Sequence, residues 1–381
     1  MKTAAILVNY RDAPGIAAAA RSVRDHAADV EIVVVDNSDD PAHWKALRDA
    51  LPAGVIAVNA GANLGFGRGC NLALCHTDAA LLMLVNPDVR LRPGCIAALR
   101  ETLTATPRLA AVAPRQSLDE RGEWLLPPAW LPTALRAWAT EKTLREPARQ
   151  ARWRSAIRAE HLRCWRANNP LRQRALSGAA LMVRRDALAA TATAWGLRAD
   201  EIFDPRFFMY FEDSDLSLRL RRGGWQLALV PQALAVHAWR NAPHKEPLMR
   251  QGMQAFFDKH HGPGDPWQTR RAASASGGGA SGWALDATAL IDPWLTIEAG
   301  ADESWCLQVS PSPTLWPAVG RLGRGRARIE LDPVLEALSG GNPVWIEVSP
   351  DTGSATGLRT RRWRWSVSDG AGAARPSASA P

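Results

Sequence analysis

The 381-residue chain is poor in cysteine, and the five it has exclude several classes of protein. Cys70, Cys75, Cys95, Cys164 and Cys306 are an odd number with no C-x-x-C pair, so neither a disulfide framework nor a zinc ribbon is indicated. A reducing compartment suits this usage. No run of about 18 apolar residues occurs, which removes a membrane-crossing helix from consideration. The opening MKTAAILVNYRDA has an apolar run too short for a signal peptide, so the expectation is a cytoplasmic protein, soluble or peripheral at a membrane. No G-x-x-x-x-G-K-[ST] is present, which excludes a P-loop. The Gly-rich stretch 61–69 follows the third expected strand rather than the first, against a dinucleotide-binding dehydrogenase.

What is present is enough to bury a full core: 46% of residues are hydrophobic and 22% charged, and the length allows two domains. The net charge of +8 is unevenly spread. From residue 275 onward nine Arg face eleven Asp plus Glu, a balance of −2, so the first 274 residues carry +10. Residues 134–174 alone hold ten Arg, one Lys and three Glu, which is +8. The basic excess is therefore one segment and not the whole surface.

Short apolar runs at 4–9, 31–36, 55–58, 79–85 and 109–113 read as buried strands, with helices expected over 14–26 and 41–50. Such alternation implies an α/β fold built on a parallel sheet with helices on both faces. Ligands of these sheets bind beyond the carboxyl ends of the strands. Polar or Gly-rich sequence stands at four of those ends: Asn9-Tyr10-Arg11, Asp36-Asn37-Ser38-Asp39, the loop from Gly61 through Asn63, Gly65, Phe66 and Gly67 to Asn71, and Asn86-Pro87-Asp88. Asp36 can accept bonds from a ribose hydroxyl or a base N–H, or make an Asx-turn. The loop glycines permit positive φ and close backbone approach to a ligand, and Asn63 and Asn71 either pin the loop or touch the ligand. Asp88, two residues past a strand and stiffened by Pro87, offers a hard oxygen that suits Mg²⁺ or Mn²⁺ held mostly through phosphates and water; the alternative is a plain Pro-Asp turn.

The stretch 207–225, FFMYFEDSDLSLRLRRGGW, organises the rest. Aromatic residues run into Glu212, Asp213 and Asp215, and Leu216, Arg219 and Leu220 follow at helical spacing. The pattern predicts acid groups at a helix mouth, with Asp213 or Ser214 as N-cap and an Asp215–Arg219 pair on the helix. Helix N-termini favour acids in any case, but that leaves the aromatic flank without a reason. Carboxylates walled by rings suit a site where one acid is partly desolvated and another is fixed.

The set V-N-Y-R-D, V-V-D-N-S, N-L-G-F-G-R-G-C-N, N-P-D, S-G-A-A-L-M-V and F-F-M-Y-F-E-D-S-D-L-S-L-R resembles the family 2 glycosyltransferases over about residues 3 to 240. It is most similar to their rhamnosyltransferase-like branch, which acts on bacterial cell-surface polysaccharides such as lipopolysaccharide. The resemblance implies the glycosyltransferase-A fold with a mostly parallel central sheet, inversion at the anomeric carbon, and a divalent metal, Mg²⁺ or Mn²⁺. It also implies a dTDP- or UDP-sugar donor and a glycan or polyprenyl-diphosphate-linked acceptor. It assigns Asp213, with Glu212 beside it, to general-base catalysis, and Asp88 to the metal, because Asn86 replaces the first acid of the D-x-D motif. His237 matches a histidine that completes the metal site in some relatives; its alternative is a strand-end histidine satisfied by backbone. Asn9, Tyr10, Asp36, Asn37, Asn63, Gly65, Phe66, Gly67, Asn71 and Asn86 become the candidate donor-nucleotide contacts.

The basic segment interleaves Arg with Trp138, Trp153 and Trp165, and helical spacing predicts a pair of basic helices. They would lie against an anionic membrane surface with Trp at headgroup level, or form an Arg-rich solvated face with Trp in the core. Because the charge is confined to this segment and the C-terminal part is acidic, nucleic acid is not expected as a partner. The domain reading is a catalytic domain over 1–271 with the basic helical insertion, a flexible linker at 272–282, a small all-β domain of sandwich type over 283–368, and a disordered end at 369–381. The C-terminal tryptophans are expected in a core, with stacking on sugar rings as the alternative.

Overall fold

The computed structural model describes residues 1–241, 245–262, 265, 287–351 and 357–366. The expected linker at 272–282, Trp283 and the expected disordered end lie outside them. The first half alternates as the apolar runs predict: β1 (Thr3–Asn9), α1 (Ala13–His26), β2 (Glu31–Asp36), α2 (Pro41–Ala50), β3 (Ile56–Asn59), α3 (Phe66–Leu74), β4 (Leu81–Val85), β5 (Val89–Leu91), α4 (Cys95–Ala105) and β6 (Leu109–Ser117). The basic segment forms α5 (Ala134–Arg145) and α6 (Pro147–Trp165). Then follow β7 (Leu171–Gln173), β8 (Ala180–Arg184), α7 (Arg185–Ala192), α8 (Glu212–Arg222), β9 (Gln226–His237) and α9 (Glu246–His260).

Local chemistry sets the helix starts. Asp12 accepts from the Gly15 N–H and Asp40 from those of Ala42 and His43, each with a proline in the first turn, where a missing N–H costs nothing. The strands β1, β2, β4 and β8 are buried along almost their whole length because both faces of the sheet are covered there. Leu7, Val34 and Met83 face α1, α2 and α4, whereas their neighbours Ile6, Val33 and Leu82 face α3, α7 and α8.

The central sheet has the order β3-β2-β1-β4-β8-β6-β9-β5, with β7 also on β9. Its first four strands are parallel, β8 runs antiparallel between β4 and β6, and β6 pairs with β9 in parallel again. The chain leaves β1 toward β2 and β3 and returns to β4 on the other side of β1. That reversal opens a crevice at the carboxyl ends of β1 and β4, the place where open α/β sheets bind ligands.

Beyond residue 287 come β10 (Thr288–Ala289), β11 (Trp294–Ile297), β12 (Ser304–Ser310), β13 (Val319–Arg324), β14 (Ala327–Glu330), α10 (Asp332–Ser339), β15 (Val344–Pro350) and β16 (Arg361–Trp365). A five-stranded sheet, β10-β16-β15-β12-β13, and a two-stranded one, β11-β14, share a core with α10. The strand reading did not include that helix. Its signals are Pro333 in the first turn, Val334, Leu335 and Leu338 at helical spacing, and left-handed Gly340 at the end.

These sheets are docked on the first part. Leu125 and Gly320 exchange backbone hydrogen bonds of 2.7 and 2.9 Å, and Trp124 and Leu126 enter the C-terminal core. The Trp165 ring fills the space a side chain at position 320 would need, and its Nε1–H donates to the Leu126 carbonyl at 2.9 Å. His161, fully buried, receives the Gln308 amide at 2.8 Å, and burial pushes its pKa down to about 3, so it is neutral. Arg158 lies 3.7 Å from Glu347, Arg166 pairs with Asp351, and Arg321 with Glu123 at 2.9 Å. Part of the basic excess of 134–174 thus faces the acidic C-terminal part. Of the C-terminal tryptophans, Trp305 is buried, Trp363 and Trp365 pack on the core, and Trp294 is exposed under Arg328.

Trp165→Ala should lower stability by about 3 kcal/mol, the usual loss for a buried aromatic. Urea unfolding followed by circular dichroism measures it, and a loss under about 1 kcal/mol would show that this ring does not hold the two parts together.

Candidate functional site

At the carboxyl edge of the sheet, Asn9, Asp36 and Asn59 stand side by side in register. Asp36 is buried, and its Oδ1 receives the Asn9 amide at 2.8 Å, the Ser38 hydroxyl at 2.6 Å and the Ser38 N–H at 3.2 Å. The Asn9 Oδ1 accepts the Asp12 N–H. This closed network shapes the turns that follow β1 and β2. Asn37 donates to the Gly65 carbonyl at 2.8 Å, and its own buried Oδ1 has no protein partner. Tyr10 is half exposed beside Arg11 at the crevice mouth.

The Gly-rich loop answers to its own protein. Gly65 has φ +80°, and a Cβ there would fall 2.2 Å from the Phe208 carbonyl; the Phe66 N–H donates to that same carbonyl at 2.9 Å. Gly67 lies against Phe203 and Phe207, and Phe66 against Phe203 at 5.7 Å. The close backbone approach expected toward a ligand is thus, at Gly65 and Gly67, an approach to the aromatic stretch. Asn63 accepts the Gly65 N–H, and Asn71 bonds Phe203 through both ends of its amide and Ile202 through its oxygen. Of the two roles open to Asn71, the pinning one is realised.

The acid stretch departs from its expected cap. Helix α8 starts at Glu212, and its N-cap is Phe211 rather than Asp213 or Ser214. Tyr210 and Phe211 are both left-handed, φ +69° and +68°, an uncommon state for bulky residues that tertiary packing has to enforce. Gly252 of α9 makes room: a Cβ there would lie 2.5 Å from the Tyr210 carbonyl. Asp215 does not pair with Arg219. It bonds Lys259 at 2.7 Å and His260 at 2.7 Å, and Lys259 also reaches Asp204 at 2.7 Å, all nearly inaccessible to water. Arg219 instead donates to the Ile202 carbonyl, and burial takes its pKa down to about 10.

Asp213 Oδ2 accepts the Gly178 N–H at 3.0 Å, and Oδ1 the Ser214 N–H at 2.6 Å. Burial raises its pKa and these bonds partly offset the rise. Glu212, buried with Oε2 unpartnered, is pushed to about 8 by burial and by the adjacent Asp213. Two neighbouring acids in unequal surroundings divide the roles: the proton stays on Glu212, and the negative charge sits on Asp213, where two backbone N–H groups meet it. Asp213 lines a cavity of about 310 Å³, whereas Glu212 is not among the residues that line it.

The same cavity is lined by His237. Its Nε2 is 3.4 Å from Asp88 Oδ2, and its Nδ1 is 2.7 Å from Gln116 Oε1, a partner the sequence did not single out. Burial pushes the Asp88 carboxyl up, but the hydrogen bond and charge of His237 outweigh it and leave it below its ordinary value. The Asn86 N–H bonds the Ala179 carbonyl at 2.9 Å, next to Gly178, which holds Asp213. One edge of β4 and β8 therefore carries the Asp88 turn and the support of Asp213 together. Asn86 Oδ1 is buried and unpartnered. A carboxylate oxygen with an imidazole nitrogen beside it, Gln116 orienting the ring, is a donor set that fits a small divalent cation completed by phosphate and water. Among the described residues, no group of three His, Cys, Asp or Glu forms an all-protein metal cage.

Two consequences are measurable. A raised carboxyl keeps its proton where the unfolded chain has lost it, so Glu212 subtracts from stability as pH climbs from 4.5 to about 8 and adds no slope outside that window. The stability of the native chain relative to Glu212→Gln should fall across pH 5 to 8 in denaturant titrations; a flat difference would mean that Glu212 ionises normally. Lys259→Met should cost about 3 kcal/mol by stranding buried Asp204 and Asp215, while the exposed Lys45→Met should cost under about 0.5 kcal/mol; equal losses in the same urea titrations would contradict the buried network.

The site sits in a chain with clear relatives. It is 29% identical to the N-acetylglucosaminyl-diphospho-decaprenol L-rhamnosyltransferase of Mycobacterium tuberculosis over 229 residues, 57% of this chain and 69% of that one. Similar solved structures include the mannosyltransferase of Pyrobaculum calidifontis in complex with GDP-Man and Mn²⁺, with 15% identity, TM-score 0.45, and coverage of 73% of this chain and 76% of that one. Another is the glucosyl-3-phosphoglycerate synthase of Mycobacterium tuberculosis with Mn²⁺, UDP and glucosyl-3-phosphoglycerate, with 15% identity, TM-score 0.40, and coverage of 68% and 79%. Residues 3–253 match the family described as "Glycosyltransferase like family 2", and the chain belongs to that family.

Proposed function

We propose that this glycosyltransferase moves a deoxyhexose of the rhamnose kind, with inversion, from a dTDP- or UDP-sugar to a polyprenyl-diphosphate-linked acceptor of cell-surface polysaccharide synthesis. The observation that carries the reading is Asp213, held by two backbone N–H groups on the wall of a cavity that His237 also lines. In this reading the nucleoside lies at the ends of β1, β2 and β3, beside Tyr10, Asp36 and Asn37. The diphosphate then lies toward Asn86 and Asp88.

In this reading the acceptor hydroxyl attacks the anomeric carbon as its proton passes to Asp213 Oδ. The new C–O bond forms while the bond to the diphosphate oxygen breaks on the opposite face. A positioned base contributes roughly 10²- to 10⁴-fold, most when its pKa approaches working pH, the direction in which burial moves Asp213. Asp88 and His237 would hold Mg²⁺ or Mn²⁺, which supplies neutralisation of the departing diphosphate. A lipid-linked acceptor would bring the protein to the inner face of the cytoplasmic membrane; among the described residues no helix is long and apolar enough to cross it. Trp153 stacks on Trp130 and Trp165 is buried, so those two rings do not sit at a headgroup layer as the membrane alternative required.

Asp213→Asn should abolish transfer while nucleotide-sugar affinity stays within a few-fold; near-native turnover would remove Asp213 as base. Asp88→Ala should erase the Mn²⁺ dependence of donor binding in calorimetry, and an unchanged dependence would refute the metal assignment.

A further inference from the structure

The cavity at Asp213 does not end at the catalytic part. Trp316 and Pro317, which belong to the C-terminal sheets, form part of its wall. A second cavity of about 240 Å³ shares the wall residues Pro128, Ala129, Trp130, Gln173 and Trp316 with the first and continues to Arg136 and Arg174. The two indoles of that wall meet edge to face at 4.1 Å, and the Arg136 guanidinium lies 4.6 Å over the Trp130 ring.

The loop that carries Trp316 is built to hold it. Thr314 Oγ1 accepts the Trp316 N–H at 3.2 Å and meets the Ser312 hydroxyl at 2.9 Å, and the Ser310 hydroxyl donates to the Pro317 carbonyl at 2.6 Å. Leu315, just before it, is left-handed at φ +58°. The Trp316 ring also stacks on buried His161 at 5.3 Å. Loops that only connect strands do not need this much fixing.

The charge at the far end is mainly positive, with Glu160 beside Arg136 and Arg174 in the lining. Burial and the neighbouring Arg174 both hold the Arg136 guanidinium below its ordinary value, and the same two causes act on Arg221. Among the described residues no carboxylate forms an ion pair with Arg136, Arg174 or Arg221; Glu160, which lines the second cavity, is engaged by Arg163 at 2.9 Å. Arginines that outnumber the acid beside them and form no ion pair among the described residues suit a multiply charged anion. The indole wall between that anion and the base, with Gln173 beside it in both cavities, suits a sugar ring, whose C–H groups pack on aromatic surface while its hydroxyls reach polar groups.

We propose that these two cavities are the acceptor subsite, that they take a glycosyl diphosphate with its sugar against the joint wall of Trp130 and Trp316 and its diphosphate on Arg136 and Arg174, and that the C-terminal sheets thereby form part of the active site. This deepens the transferase reading and rests on it for the direction of transfer. Donor and acceptor diphosphates are kept apart, the first at the Asp88 turn and the second beyond the indole wall.

The test uses the full chain saturated with UDP, so that the donor side is filled. Calorimetry then measures binding of a short-chain alkyl glucosyl diphosphate, the matching alkyl glucoside and inorganic pyrophosphate. The alkyl glucosyl diphosphate should bind, weaken about 10-fold or more in exposed Arg174→Gln, and weaken about 5-fold or more in Trp316→Ala. The glucoside should respond to Trp316→Ala alone and pyrophosphate to Arg174→Gln alone. Binding that UDP abolishes, or that neither variant alters while both keep native circular dichroism, would overturn the subsite. Arg174→Gln by itself decides the anion end should Trp316→Ala fail to fold. Absence of transfer with every donor, together with the expected binding pattern, would reject the transferase reading and leave the subsite standing. Transfer with unchanged acceptor KM in both variants would do the reverse.

Discussion

Two adjacent carboxylates buried at the mouth of one helix are the constraint to which the rest of the structure conforms. An unpaired buried charge is expensive, and a pair of like charges more so. The fold meets this by asymmetry. Asp213 receives the N–H groups of Gly178 and Ser214, while Glu212 lies deeper and keeps its proton. That asymmetry needs the helix to start abruptly at Glu212, which two left-handed aromatic residues achieve. They in turn depend on neighbours that yield space: Gly65 under Phe208, Gly67 under Phe203 and Phe207, and Gly252 under Tyr210. The third acid, Asp215, is neutralised from the other side by Lys259 and His260, which fixes α9 against α8. The charges of Asp213 and Asp215, two residues apart on one helix, are thus met by different partners.

The second organising feature is the place of the basic segment. Helix α6 carries His161 and Trp165 on a face that packs against the C-terminal sheets, with Arg158 and Arg166 answering Glu347 and Asp351. One face of this helix is an internal seam, and the opposite face is exposed. Where the seam meets the sheet edge it leaves an opening lined by indoles and prolines, with Asp213 at one end and Arg136 and Arg174 at the other. The same packing that joins the two parts of the chain therefore also shapes the space beside Asp213.

Much of this was legible from the residues. The strands β1, β2 and β4 read directly because both their faces are buried, so each is a continuous apolar run, and the strand-end rule located the crevice. Asp88, Asp213 and His237 stand out as candidates in the sequence because their flanking motifs are local, and the structure sets Asp88 beside His237 and lines one cavity with His237 and Asp213. The N-cap was misplaced because short polar residues are the usual signal, and here packing against α9 forces Phe211 into the role. The partner of Asp215 was missed because Lys259 and His260 are more than forty residues away and carry no motif. Gly178 and Gln116 act through a backbone N–H and a neutral amide, groups that leave little trace in composition. Tryptophan in the basic segment was ambiguous for the same reason: periodicity shows that a residue shares a helix face but not which partner covers it.

The account turns on the protonation state of the acid pair, which can be observed without assaying transfer. In protein labelled with ¹³C at the glutamate side-chain carboxyl, one resonance should titrate near pH 8 and vanish in Glu212→Gln. Ionisation of every glutamate below pH 6 would contradict it, because Glu212 would then be charged beside Asp213 and the division of roles between them would not exist.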